Sequence, residues 1–173
     1  MFFSLLTNSY SGNMTKINAY QFSFNDIHGR HIALSDFSDK VILIVNTASK
    51  CGFTPQYADL ETLHQNFHDK GLILIGVPSA NFANQEFQDN KEIDQFTKDQ
   101  FDINFLITEK CDVKGKQAHP FYQWANKEAG FLGSPKWNFH KYIIDKNGNL
   151  AAWYSSRTKP TSPKIINKIE ELL

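Results

Sequence analysis

Cysteine is scarce in this chain. Its 173 residues include two, Cys51 and Cys111. Two thiols cannot make a disulfide framework, and their wide spacing does not resemble a zinc site. Charge surplus is absent as well: Lys plus Arg equals Asp plus Glu, at 18 each. That balance gives no reason to expect nucleic acid as a partner, and no charge block suggests a tail. No apolar run approaches the ~20 residues of a membrane-spanning helix. Met1–Leu6 is apolar but short, without a basic n-region or an Ala-x-Ala cleavage site, so it does not read as a signal peptide. Phosphate-cradling glycine loops are also missing; Gly115 and Gly148 belong to turns. Repeats, linkers and low-complexity segments do not occur. The expectation is a single reduced, cytoplasmic domain over residues 14–173, preceded by a loose extension over residues 1–13.

What the chain does have is aromatic weight, with 15 phenylalanines, and one unusual stretch, Val41–Tyr57. Val41–Val45 are all apolar and four of the five are β-branched, which predicts a fully buried strand. A small polar run, Asn46–Lys50, leads to Cys51. Thr54-Pro55 then reads as a cap and a helix start. The cysteine is thereby placed in a turn between a central strand and a helix. Backbone N–H groups and the helix dipole converge at such a turn and favour an anion. A thiol held there is expected to be pushed toward the reactive thiolate.

The remaining segments supply the frame. Ala19–Leu34 suggests a short hairpin. Residues 55–70 carry Tyr57, Leu60, Leu63 and Phe67 at helical spacing, and Gly71 ends that helix. Residues 72–77 are a second continuous apolar run, completing a βαβ unit. Residues 78–90 form a polar loop after a buried strand, where α/β sheets place their sites. Asn90 is expected to cap a helix over 91–101. A short strand over 105–107, a helix from Pro120 capped by His119, a loop over 130–137 and a hairpin over 139–155 follow. The last helix starts at Ser162-Pro163, with Ile165, Ile166, Ile169 and Leu172 on one face. This order predicts an α/β protein of thioredoxin-like fold, with a mixed central β-sheet flanked by helices on both faces.

Taken alone, Cys51 is as compatible with a buried structural thiol as with a reactive one. Thr54 occupies the position where a dithiol oxidoreductase needs its second cysteine, which argues for one-cysteine chemistry. His64 and His68 are one helical turn apart, but no third ligand is evident, so a solvated helix face is the better reading.

The stretch from Asn46 to Tyr57, N-T-A-S-K-C-G-F-T-P-Q-Y, resembles the active-site signature of the glutathione peroxidase family, which carries cysteine or selenocysteine at this position. Gly76–Glu86 is similar to the family's G-F-P-C-N-Q-F-G-G-Q-E, Lys136–Phe139 to its K-W-N-F, and Tyr154–Pro160 to its Y-S-S-x-T-x-P. The likeness runs from about residue 15 to the end. It implies a catalytic set of Cys51, Gln85, Trp137 and Asn138. The chemistry is coherent: a peroxide O–O bond is cleaved by nucleophilic attack. Amide and indole N–H groups can stabilise both the sulfur and the departing oxygen without a competing base. The resemblance implies reduction of hydrogen peroxide and of organic or lipid hydroperoxides through a sulfenic acid on Cys51. Glutathione or thioredoxin would serve as the reducing cosubstrate, with no metal or other cofactor. The alternative is a peroxide sensor passing oxidation from Cys51 to a partner protein.

Departures from the pattern carry expectations of their own. Ala83 and Asn84 stand where the family has two glycines, so the loop backbone is expected to differ, and Gln85 with it. Trp153 replaces a common arginine. Phe96 is followed by Thr97 and not by the resolving cysteine of many cysteine-type members. Cys111 is read as an apolar filler in preference to a resolving thiol. The short segment between Gly115 and Trp137 is similar to that of the monomeric members, whose open site admits bulky hydroperoxides.

Overall fold

A computed structural model describes residues 16–173; the expected extension over residues 1–13 lies outside the described residues. Strand β1 (Ser23–Asn25) pairs with β2 (His31–Ala33) in a small antiparallel hairpin, as expected. The chain then enters β3 (Val41–Thr47), α1 (Gln56–Phe67) and β4 (Leu72–Pro78). Helix α2 (Asn90–Phe101), β5 (Leu106–Ile107) and α3 (Pro120–Gly133) follow. Strands β6 (Lys141–Ile144) and β7 (Leu150–Tyr154) and helix α4 (Pro163–Leu172) complete it.

The main sheet has the order β5-β4-β3-β6-β7. Strands β3, β4 and β5 are parallel, whereas β6 and β7 join antiparallel. It is the mixed sheet that the element order predicts. Every residue of β3 is buried, because alternate side chains serve two separate cores. Val41, Leu43 and Val45 pack with Tyr57, Leu60, Leu63 and Phe67 of α1, Ile93 of α2 and Ile165 and Ile169 of α4. Ile42 and Ile44 face the other way, onto Phe121, Tyr122 and Trp124 of α3. Burying each such side chain contributes roughly 1.5–3 kcal/mol, so both faces hold the sheet.

Several boundaries follow the sequence reading for its stated reasons. Gly71 takes the left-handed conformation, φ 105°, that closes the α1 segment. His119 Nδ1 accepts from Phe121 N–H, and the Ser162 side chain accepts from Lys164 N–H. Others are corrected. The cap of α2 is Asp89, which accepts from Lys91 N–H; Asn90 instead accepts from Lys110 N–H at 2.9 Å and ties the helix start to the loop after β5. Helix α3 runs on to Gly133 across a kink at Gly130, where a loop was expected. Strand β6 begins at Lys141, two residues later than read, because Trp137–His140 are engaged by Asn46.

Candidate active site

Parallel strands β3 and β4 both end at the same edge of the sheet, at Thr47 and Pro78. Strand β6 is antiparallel to β3, with Lys141 opposite Val45, so it begins at that edge. Three loops therefore converge: residues 48–55, 79–89 and 134–140. This is the carboxyl end of the parallel strands, where open α/β sheets bind ligands. The loops carry Cys51, Gln85, and Trp137 with Asn138.

Cys51 is a free cysteine, 7% exposed. Its position in the strand-to-helix turn is as read, but the reason for the turn is different. Thr54 does not cap α1, whose N-cap is Pro55 without a side-chain bond. Thr54 Oγ1 accepts from Cys51 N–H at 2.9 Å and donates to Ala48 C=O at 2.8 Å. The hydroxyl thus pins the cysteine backbone inside the loop. The first N–H groups around the helix start are also spoken for, donated to the carbonyls of Phe53, Thr54 and Pro55. The amide that reaches the sulfur is Phe53 N–H, at 3.3 Å from Sγ.

Gln85 and Asn138 meet directly: Asn138 Nδ2 donates to Gln85 Oε1 at 3.0 Å. Gln85 also accepts at its backbone carbonyl from Lys50 N–H at 2.9 Å. The residue before the cysteine is thereby joined to the glutamine loop. Lys50 Nζ lies 4.2 Å from the centre of the Phe87 ring. Trp137 is half-buried, packs against both cores and sits 5.9 Å from Phe82, ring centre to ring centre. Among the described residues, neither Gln85 Nε2 nor the Trp137 indole N–H donates to a protein group. Both remain available to a ligand.

The backbone of the glutamine loop carries a finding of its own. Ala83 and Asn84 have φ of 56° and 51°. Both are left-handed, a conformation that costs roughly 1 kcal/mol for alanine. Phe139 is also left-handed, φ 64°, which is costly for a bulky side chain. Asn46 enforces it: its side chain accepts from His140 N–H, donates to Trp137 C=O, and its carbonyl accepts from Phe139 N–H.

Sequence reasoning passed over Asn46, Thr54 and Glu86 as parts of this site. Glu86 is 2% exposed, and its Oε1 accepts from Ser49 and Phe87 N–H. Burial raises its carboxyl above the usual range, although the Ser49 and Phe87 donors oppose that shift. For Asn46 the available signal was a polar residue at the end of the apolar run Val41–Val45; no local pattern marks Glu86. Beneath the edge, Lys141 is fully buried, donating to Gln56 Oε1 at 2.6 Å and to the Thr158 and Ser156 carbonyls. Burial lowers its ammonium to about 7.

The second thiol lies elsewhere. Cys51 belongs to the core of the α1 face, whereas Cys111 packs against that of the α3 face. Burial, with Asp112 adding to it, pushes the Cys111 thiol up to about 12. Among the described residues no group of three His, Cys, Asp or Glu side chains is placed to hold a metal ion.

A family model for glutathione peroxidase matches residues 19–126. A glutathione peroxidase homolog, BsaA, from Halalkalibacterium halodurans is 45% identical over 159 residues, covering 91% of this chain and all of the relative. A hydroperoxy fatty acid reductase from Synechocystis is 40% identical, covering 89% of this chain and 95% of its own. Among solved structures, Trgpx in its apo form superposes with a TM-score of 0.71 at 34% identity, covering 91% of this chain and 96% of that one. A thiol:disulfide interchange protein of DsbE type from Chlorobium tepidum, at 17% identity and TM-score 0.63, shares the thioredoxin-like fold. With the fold, the converging loops and these matches in agreement, the chain belongs to the glutathione peroxidase family of peroxide-reducing oxidoreductases.

Proposed function

We propose that Cys51 is the sulfur that attacks the peroxide, with Gln85, Trp137 and Asn138 around it. The observation that carries this reading is the meeting of three loops at one sheet edge, with an amide N–H directed at Cys51 Sγ, an Asn138–Gln85 hydrogen bond, and a Lys50–Gln85 backbone bond joining the two loops. The thiolate attacks one peroxide oxygen; an S–O bond forms as the O–O bond breaks. The departing alkoxide or hydroxide takes a proton, leaving an alcohol or water and a sulfenic acid. Asn138 holds Gln85 Oε1, which leaves Gln85 Nε2, with the Trp137 N–H, to stabilise the charge that develops on oxygen.

An external thiol completes the cycle. One thiol condenses with the sulfenic acid and releases water; a second displaces Cys51 and leaves as the disulfide. Glutathione fits this scheme, because it needs no second cysteine in the protein, and Cys111 packs with the other core. The substrates are hydrogen peroxide and organic hydroperoxides, in keeping with one relative's name, hydroperoxy fatty acid reductase. The proposal includes a monomer working in the reducing cytoplasm, which accords with two free cysteines.

The test is Cys51→Ser, which should abolish peroxide consumption in the presence of glutathione. Intact mass after one equivalent of peroxide should show wild-type protein gaining an oxygen. Undiminished turnover by the serine variant removes Cys51 from the chemistry.

A further inference from the structure

We propose that Glu86 is a positioning residue, whose buried carboxylate fastens the Cys51 loop to the Gln85 loop and so sets the distance between sulfur and amide. The inference rests on the assignment of Cys51 and Gln85 given above. Oε1 accepts from Ser49 N–H at 3.2 Å, two residues before Cys51, and from Phe87 N–H at 2.9 Å, two residues after Gln85. The neighbouring Lys50 N–H to Gln85 C=O bond runs between the same two loops. Together they make a two-rung ladder between segments 49–50 and 85–87.

Stability alone gives a poor reason for this carboxylate. A buried acid is costly unless paired with a cation, and among the described residues Glu86 makes no salt bridge. Lys110, the basic residue that bears on it, directs its ammonium to the Phe87 and Gln88 carbonyls and to Gln88 Oε1. Oε2 makes no well-aligned hydrogen bond, although the Ser49 hydroxyl lies close enough to favour the charged form. The Glu86 charge and burial both raise the Tyr57 phenol, burial being the larger effect. The side chain thus sits in a tight polar pocket that it does not fully satisfy. What the carboxylate supplies is reach: one oxygen bridges two backbone donors on different loops. The left-handed residues Ala83 and Asn84 lie just upstream, with Gln85 between them and Glu86, so a path with a conformational cost is anchored at its downstream end.

The decisive experiment compares two reactions of Cys51 in the full-length protein. Oxidation by hydrogen peroxide needs sulfur and amide in register; alkylation by iodoacetamide needs the sulfur alone. Glu86→Asp keeps the charge but shortens the arm, and should slow oxidation by about tenfold or more while alkylation stays within about threefold. Glu86→Gln, which retains an acceptor oxygen at full reach, should recover most of the loss. In a Gln85→Ala background, Glu86→Asp should cost less than about twofold further, because the two residues act as one unit. The proposal is overturned if Glu86→Asp is oxidised at the wild-type rate, or loses oxidation and alkylation equally. It is also overturned if the variant is slowed as much without Gln85 as with it. Failure of the underlying assignment would look different: wild-type Cys51 would resist peroxide before any variant was made.

Discussion

Cys51 and Cys111 are the same side chain packed with different cores, Cys51 buried and Cys111 half-buried. Cys51 has an amide N–H on its sulfur and a threonine hydroxyl holding its backbone. Cys111 packs against the α3-side core beside Asp112, and its thiol is raised to about 12. Cys111→Ser should therefore leave glutathione-driven peroxide consumption within about twofold of wild type. Intact mass should show the oxygen adduct and not the loss of two hydrogens that an internal disulfide would give. Gln85→Ala should slow oxidation of Cys51 by about 10²-fold, the usual cost of removing one preorganised donor, read by stopped-flow oxidation under excess peroxide. At this scale the sequence was readable where a residue's job follows from its chemistry. It was misleading at Thr54, which has the right type and place for a helix cap, yet its hydroxyl is spent on Cys51 N–H and Ala48 C=O. Only the folded loop decides between those two uses.

The elements were more legible than the joints between them. The unbroken apolar runs of β3 and β4 announce a sheet covered on both faces, and Tyr57, Leu60, Leu63 and Phe67 announce the buried face of α1. The loop over residues 79–89 has no periodicity, so its path could not be derived; replacement of two glycines suggested a different backbone. Ala83 and Asn84 are both left-handed, and the two residues that follow, Gln85 and Glu86, are tied to the Cys51 loop. Ala83→Gly should relieve that conformation and stabilise the fold by about 0.5–1 kcal/mol, measured as a higher urea midpoint at unchanged slope. A lower midpoint would mean that the exposed alanine carries no strain. The late start of β6 has the same origin. Asn46 draws Trp137, Phe139 and His140 out of the strand, contacts 91 to 94 positions apart that no local pattern records.

Across the whole molecule, stability should depend on one lysine. Lys141 titrates near 7 in the fold but near ~10.4 in an unfolded chain. Between those values the unfolded state binds more protons, so folding stability rises with pH over that interval, and the burial penalty is felt in full below it. The increment is on the order of a few kcal/mol between about pH 6.5 and 9.5. Urea unfolding of wild type and Lys141→Met at both pH values isolates it, since groups common to both cancel; equal slopes would place the ammonium in solvent. The same sheet that buries this lysine also divides the two cores with which the thiols pack, and that partition bears on how the enzyme fails. On the proposed assignment, with Cys111 packed on the other core, an oxidised Cys51 depends on an external thiol. A second peroxide that arrives first carries the sulfur on to sulfinic acid, beyond the reach of ordinary thiols. Turnover becomes a race decided by the ratio of reductant to oxidant, and starvation for reductant should leave permanently silenced molecules.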